Sequence, residues 1–176
     1  LPYAVHDLNP VDRITADAVG EPGQRVFYLQ ARKGRHLVTL IVEKEQLAAL
    51  VYAVDRLLLH LAGDDAEAVT EPDPALEGNM GLQAPLAPAF RTGHLSLGYD
   101  QVSGRFVVVA EELTEEGQSA KPSVARFWAT PAQMRALSIR GQEVIAAGRP
   151  RCAMCGEPID PAGHFCPRRN GDRNVR

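Results

Sequence analysis

The chain has 176 residues, enough for one domain with an appendage, and its 45% apolar and 23% charged composition is that of an ordinary globular protein. No apolar run, Leu57–Ala62 with its interrupting His60 included, approaches the ~20 residues needed to cross a bilayer as a helix. A net charge of −3 excludes a surface that attracts nucleic acid everywhere. The charge is unevenly placed, however: from Arg149 onward six arginines meet three carboxylates, a local +3 that leaves −6 on the rest. The chain opens Leu1-Pro2-Tyr3, without an initiator methionine, and no basic-then-apolar signal pattern follows.

Ile14–Val19 reads as a first strand, and Gly20-Glu21-Pro22-Gly23 as a reverse turn. Val26–Ala31 and Leu37–Val42 read as strands joined tightly through Lys33-Gly34-Arg35. The second, apolar apart from Thr39, is expected in the middle of a sheet. From Lys44 to Ala62, Leu47, Leu50, Val54, Leu57, Leu58 and Leu61 fall on one side of a helix, and Gly63 is a suitable stop. Residues 64–90 carry six acidic residues and four prolines but no Lys or Arg, the composition of a long irregular connection.

Structure is expected to resume at Thr92. There Leu95, Leu97 and Tyr99 alternate with His94, Ser96 and Gly98, as in a half-buried strand. Asp100–Gly104 turns the chain, Phe106–Ala110 reads as a strand, and Glu111–Lys121 as an acidic, flexible stretch. Val124–Ala129 is a further strand. Thr130-Pro131-Ala132-Gln133 then has the form of a helix start: a capping Thr, Pro at the first helical position, and Gln three residues beyond the cap. Met134, Leu137, Gly141, Val144 and Ile145 share one side of that helix, and Gly148 closes it.

The two halves resemble each other. A shift of 87 residues lays Val42–Leu50 on Ala129–Leu137 and matches Gln46 with Gln133, Ala49 with Ala136 and Leu50 with Leu137. Any strand-to-helix junction shares part of that pattern, so a βββα repeat is one account of it and coincidence the other. These elements predict an α+β fold, two amphipathic helices on a largely antiparallel sheet. The body would span residues 1–148, its halves (about 1–63 and 91–148) joined by 64–90, and residues 149–176 would form a zinc-binding tail.

All three cysteines, Cys152, Cys155 and Cys166, lie in that tail with His164 among them. Their odd number and clustering argue against a disulfide framework and for a metal site in a reducing compartment, which points to the cytoplasm. A tetrahedral Zn2+ takes four thiolate or imidazole donors. Two cysteines two residues apart can bend around one ion, Gly156 eases the turn, and Pro158, Pro161 and Gly163 reverse the chain to return His164 and Cys166. His164 is the least secure donor because His-x-Cys spacing is tight; Asp160 or a histidine of the body is the alternative. Four protein donors fill the shell, so the zinc is expected to be structural. A thioredoxin-type thiol pair would begin a helix, which Pro and Gly after Cys155 oppose.

Elsewhere His6, His36, His60 and His94 are scattered and read as surface or packing histidines. Gly20 to Arg25 lacks the Lys-Ser/Thr ending of a phosphate loop and reads as a turn. Arg168, Arg169, Arg173 and Arg176 are candidates for phosphate contacts, although Phe165 is the one aromatic near them.

Several strings together carry a resemblance: Asn9-Pro-Val-Asp-Arg13, Ala18-Val-Gly-Glu-Pro-Gly-Gln-Arg25, Phe27-Tyr-Leu-Gln-Ala31, Glu43-Lys-Glu-Gln46, Cys152-x-x-Cys155-Gly-Glu-Pro and Gly163-His-x-Cys-Pro167. With these the chain resembles a bacterial family catalogued as domain of unknown function 3090, over nearly its whole length. The resemblance implies a C-terminal cysteine/histidine module and supplies no activity. With no catalytic signature in the body, the reading favoured is a non-enzymatic adaptor that binds a protein partner and carries a structural zinc. A nucleic-acid-binding factor using the arginine tail, and an enzyme with a site between the two halves, are the alternatives; no membrane partner is expected.

Overall fold

In the computed structural model the described residues are 3–64, 73–117, 120–160, 162–169 and 173–174. The strands are β1 (Val5–Leu8), β2 (Arg13–Val19), β3 (Val26–Lys33), β4 (His36–Val42), β5 (Pro88–Asp100), β6 (Arg105–Glu112) and β7 (Val124–Ala129). Helix α1 spans Lys44–Ala62, a single turn α2 spans Pro74–Glu77, and α3 spans Pro131–Ala146. The seven strands form one open sheet in the order β1-β7-β6-β5-β4-β3-β2. All neighbours are antiparallel except β4–β5 and β1–β7, which are parallel. The fold is therefore α+β with a mostly antiparallel sheet, as the sequence predicts; β1 and α2 had no sequence signal strong enough to be read.

Each half is a three-strand meander followed by a helix, and the two meanders lie side by side in one sheet. Their helix starts match in detail. Gln46 Oε1 accepts from the Glu43 amide at 2.8 Å while its Nε2 donates to the carbonyls of Thr92 (3.2 Å) and Gly93 (3.3 Å) on β5. Gln133 Oε1 accepts from the Thr130 amide at 2.9 Å while its Nε2 donates to the Val11 carbonyl, just beyond β1, at 3.2 Å. In both halves the third helical residue caps the helix and tethers it to the chain that pairs in parallel with the preceding strand. The Gln46/Gln133 correspondence thus has a structural basis.

One face of the sheet is apolar. Ile14, Ala16, Leu29, Ala31, Val38, Leu40, Phe106, Val108, Ala125 and Phe127 form a single core with Leu47, Leu50, Val51, Val54 and Leu58 of α1 and Met134, Leu137 and Val144 of α3. The buried stripe of α1 differs from the expectation at two places: Leu61 in the last turn is exposed, and Val51 in the middle is buried against α3. The helices meet at Gly141, where a Cβ would lie 2.6 Å from Val51 Cγ2. That close approach is what the glycine permits. Across this contact Asp55 accepts from Ser138 Oγ (2.5 Å) and Gln142 Nε2 (2.9 Å).

The opposite face of the first half carries a buried polar row, Thr15–Gln30–Thr39, in cross-strand register. The connection after α1 covers it. Asp73 caps α2 by accepting from the Ala75 amide, and α2 rests against α3. The chain then passes the edge strand β2, where Arg13 donates to the carbonyls of Asn79 and Gly81. Thr15 Oγ1 donates to Met80 O at 2.5 Å. Gln30 Nε2 donates to Thr39 Oγ1 (2.9 Å) and Gln83 O (3.0 Å), and its Oε1 accepts from Gln83 N (2.8 Å). Of the irregular connection expected through 64–90, the described residues before β5 are irregular apart from one helical turn. Residues 73–87 hold a helical turn and a strap fixed by side chains far away in sequence, and β5 begins at Pro88 rather than Thr92; residues 65–72 lie outside the described residues. Of the flexible stretch expected at 111–121, Glu111 and Glu112 belong to β6, and residues 118–119 lie outside the described residues.

Two predictions follow from these contacts. Gln30→Ala leaves the half-buried Gln83 amide and carbonyl without their side-chain partner, at most about 1–3 kcal/mol for each such group. It should lower the urea midpoint and speed amide exchange at residues 80–84 while β6 and β7 stay protected. Asp100 is held below the usual carboxylate range first by the Ser103 hydroxyl and then by the Val102 amide, and Glu112 by the Ser123 amide. Because folding lowers both pKa values, their stabilisation is complete above the unfolded carboxylate pKa and is lost as pH falls through the lowered ones. An acid titration of the thermal midpoint should be shallower in an Asp100→Asn/Glu112→Gln variant than in the parent chain.

Candidate metal centre

After α3 the chain forms a tight knuckle. Arg151 bridges to Pro158, Ile159 N donates to Pro150 O at 2.7 Å, and Cys152 N donates to Glu157 O at 2.8 Å. Inside that frame residues 153–155 turn, and Gly156 at φ +77° donates its amide to Cys152 O at 2.9 Å. A residue with a Cβ would be strained in this left-handed conformation. Gly163, at φ +89°, makes the second reversal and leads into strand β8 (His164–Phe165), which pairs with β9 (Arg173–Asn174); a 3-10 turn spans Pro167–Arg169.

These turns bring Cys152, Cys155, His164 and Cys166 together, with one donor atom of each within 4.8 Å of all the others. Cys152 Sγ lies 3.9 Å from Cys166 Sγ, and Cys155 Sγ lies 3.3 Å from His164 Nε2. Metal–ligand bonds of about 2.0–2.3 Å place tetrahedral donors about 3.3–3.8 Å apart, so these spacings are close to those around one ion. Cys152 and Cys166 are buried in a segment with little apolar material of its own. Among the described residues His164 Nδ1 is buried without a hydrogen-bond partner, and the ring's one polar contact is Nε2 with Cys155 Sγ. The cluster can bind a metal ion.

The tight His-x-Cys spacing is accommodated because residues two apart in an extended chain project to the same side. His164 and Cys166 face the cluster while Phe165 between them is 65% exposed. Asp160, the alternative donor, is taken by Arg149, with Nη1 2.6 Å from Oδ1. At Cys155 a hydrogen bond from the Glu157 amide favours the thiolate, but burial and the sulfurs of Cys152 and Cys166 outweigh it and push the pKa up. A cation among the three sulfurs reverses that balance, so binding releases protons and weakens in acid.

Sequence reasoning missed two other arrangements. His6 and His36, 30 residues apart, are neighbours with Nδ1 and Nε2 3.4 Å apart, and the His6 pKa is lowered by burial and then by His36. Arg25, Lys44, Arg149 and Arg151 border one pocket where the body meets the tail; no motif joins residues so far apart. A cavity of about 470 Å3 lies between α1 and β5, at the seam of the two halves. Its polar groups, Glu45, Gln46, His94 and Ser96, make no hydrogen bonds with one another, and Gln46 is committed to the β5 backbone. Of the arginine tail, Arg168 is exposed; the side chains of Arg169, Arg173 and Arg176 lie outside the described residues. Among the described residues no helix is long and apolar enough to cross a membrane.

Cys152→Ser, Cys155→Ser or Cys166→Ser should each lower metal affinity by more than the roughly 10–100-fold typical of losing an outer partner. Asp160→Asn should leave it unchanged. Competition with a chromophoric chelator measures both.

Comparison with known proteins gives one match. Residues 6–166 fit the profile of the family described as protein of unknown function (DUF3090), and the chain belongs to that family. No curated protein and no solved structure matches it.

Proposed function

We propose that this chain is a zinc protein whose Zn2+ is structural, and that its body serves as a non-enzymatic adaptor for a protein partner. The observation that carries the reading is the convergence of three cysteines and one histidine within 4.8 Å. Four such donors complete a tetrahedral shell and leave no position for water or substrate, whereas a catalytic zinc keeps one open. Thiolate-rich ligation favours zinc over hard cations such as magnesium or calcium, and free thiols suit a reducing compartment such as the cytoplasm. Residues 1–148 and 149–176 act in this reading as body and metal-organised module.

The body offers a broad surface for a partner. Among the described residues, the outer face of the sheet beyond the strap carries no covering element, and Val5, Tyr52, Leu59 and Leu113 are exposed on the body. The metal module presents Phe165 and Met154 to solvent.

Elemental analysis of protein purified without chelator should give one zinc per chain. Removing it with a strong chelator under reducing conditions should abolish amide protection at residues 152–166 while the body keeps a cooperative melt. A metal-free protein with an unchanged, ordered tail would overturn the structural role. For the adaptor role, a partner cross-linked to the parent chain should be identified by mass spectrometry and its binding reproduced with purified components. Robust turnover of a metabolite by the isolated protein would refute it.

A further inference from the structure

The junction of body and tail concentrates positive charge around a cavity. The β2–β3 turn supplies Gly23 and Arg25, the first residue of α1 supplies Lys44, and the start of the metal module supplies Arg149, Arg151 and Pro158. Together these residues border a pocket of about 180 Å3, the space of roughly six waters at ~30 Å3 each.

Two glycines shape it. At Gly23, φ +92°, a Cβ would lie 3.1 Å from Arg149 Nε and 3.2 Å from its Cζ, so the missing side chain lets the guanidinium rest against the turn. At Gly148 a Cβ would lie 2.9 Å from Arg25 Nη2 and 3.4 Å from Lys44 Nζ. Two cationic groups therefore crowd one point just past the end of α3.

Local contacts neutralise one of these four cations, Arg149 through Asp160, and leave the other three without a carboxylate partner among the described residues. Arg25 donates to Val144 O at 2.8 Å and stacks on Phe27, with Cζ 4.9 Å from the ring centroid. Arg151 donates to Gly156 O at 3.1 Å. These acceptors are neutral. Of the nearby carboxylates, Asp160 is shared with Arg149 (2.6 Å) and Glu43 is engaged by Arg91 (2.5 Å), while Glu45 borders the adjoining pocket with Arg25 and Lys44 and forms no ion pair with either. Among the described residues Lys44 has neither a hydrogen-bond nor an ion-pair partner. The carbonyl end of α3 carries about half a negative charge, enough to attract one cation and not four.

We propose that this seam binds a small soluble ligand through a phosphate group, held by Lys44, Arg25, Arg149 and Arg151. Guanidinium groups offer paired donors to phosphate oxygens and the ammonium a point charge. The pocket is too small to bury an extended polymer. The Gly20–Arg25 segment is a turn, as read from the sequence, with Gln24 N donating to Glu21 O at 2.9 Å. Its part in the site is to deliver one side chain and one gap, not a loop of backbone amides. Half the site belongs to the body and half to the tail, so the ligand would bridge them.

The test is titration calorimetry and thermal melting of the metal-loaded full chain at low salt, with inorganic phosphate and diphosphate as probes and metal content measured before and after. Saturable binding of one diphosphate per chain is expected, with a raised melting temperature and an affinity that falls as salt rises. Lys44→Gln breaks no partnered contact, so it should fold normally and weaken binding by roughly tenfold or more, the scale of one charge-assisted hydrogen bond. Arg151→Gln should act likewise, and Arg168→Gln should have no effect. Absence of binding by either probe, or undiminished binding in a Lys44→Gln/Arg151→Gln variant, overturns the proposal. So does binding of a single-stranded oligonucleotide or of phosphatidylglycerol vesicles by a chain that ignores both small anions.

Discussion

Parallel pairing of β4 with β5 is the constraint from which most of this structure follows. Antiparallel neighbours can be joined by a tight turn, but parallel ones require the chain to travel back the length of a strand before it pairs. Here the return uses α1 on the apolar face and a strap on the other. The strap brings backbone carbonyls and amides onto a sheet face, where an unpaired polar group is costly. Thr15, Gln30 and Thr39 answer that need, and Gln30 pairs with both the amide and the carbonyl of Gln83. The buried polar row is thus the complement of the strap that covers it, whose outer side stays exposed and whose Met80 is buried.

The same constraint recurs at the far edge, where β7 pairs in parallel with β1. In both places a glutamine at the third residue of the following helix bonds to the adjoining chain, Gln46 to β5 and Gln133 to Val11. One side chain satisfies a helix end, fixes the angle between helix and sheet, and ties down the parallel neighbour. The segment leading into β2 therefore plays toward the second half the part that β5 plays toward the first.

The tail is organised by different physics. It has few apolar groups to bury, and its turns instead converge three sulfurs and one imidazole on a point. An ion at that point would replace a hydrophobic core as the source of order, as small metal modules require. Its attachment to the body rests on close approaches permitted by Gly23 and Gly148, and those approaches gather charge at the junction.

Elements with local causes were legible in the order of the amino acids. Alternation along Leu95–Tyr99 marked a half-buried strand, Thr130-Pro131 with Gln133 marked a helix start, and Cys152-x-x-Cys155 with Gly156 marked a metal knuckle. Each depends on residues a few positions apart, where backbone periodicity or ligand spacing is visible. The strap stayed hidden because its acidic, proline-rich composition carries no periodicity, and the side chains that order it come from β2 and β3, more than 50 residues away. β1 is four residues long and finds its partner 119 positions later. Only the tertiary structure could decide that Asp160 belongs to Arg149 rather than to the metal cluster, or that Arg25, Lys44, Arg149 and Arg151 share a pocket. A charge acts through space, and the distance that decides what it does exists only once the chain has folded.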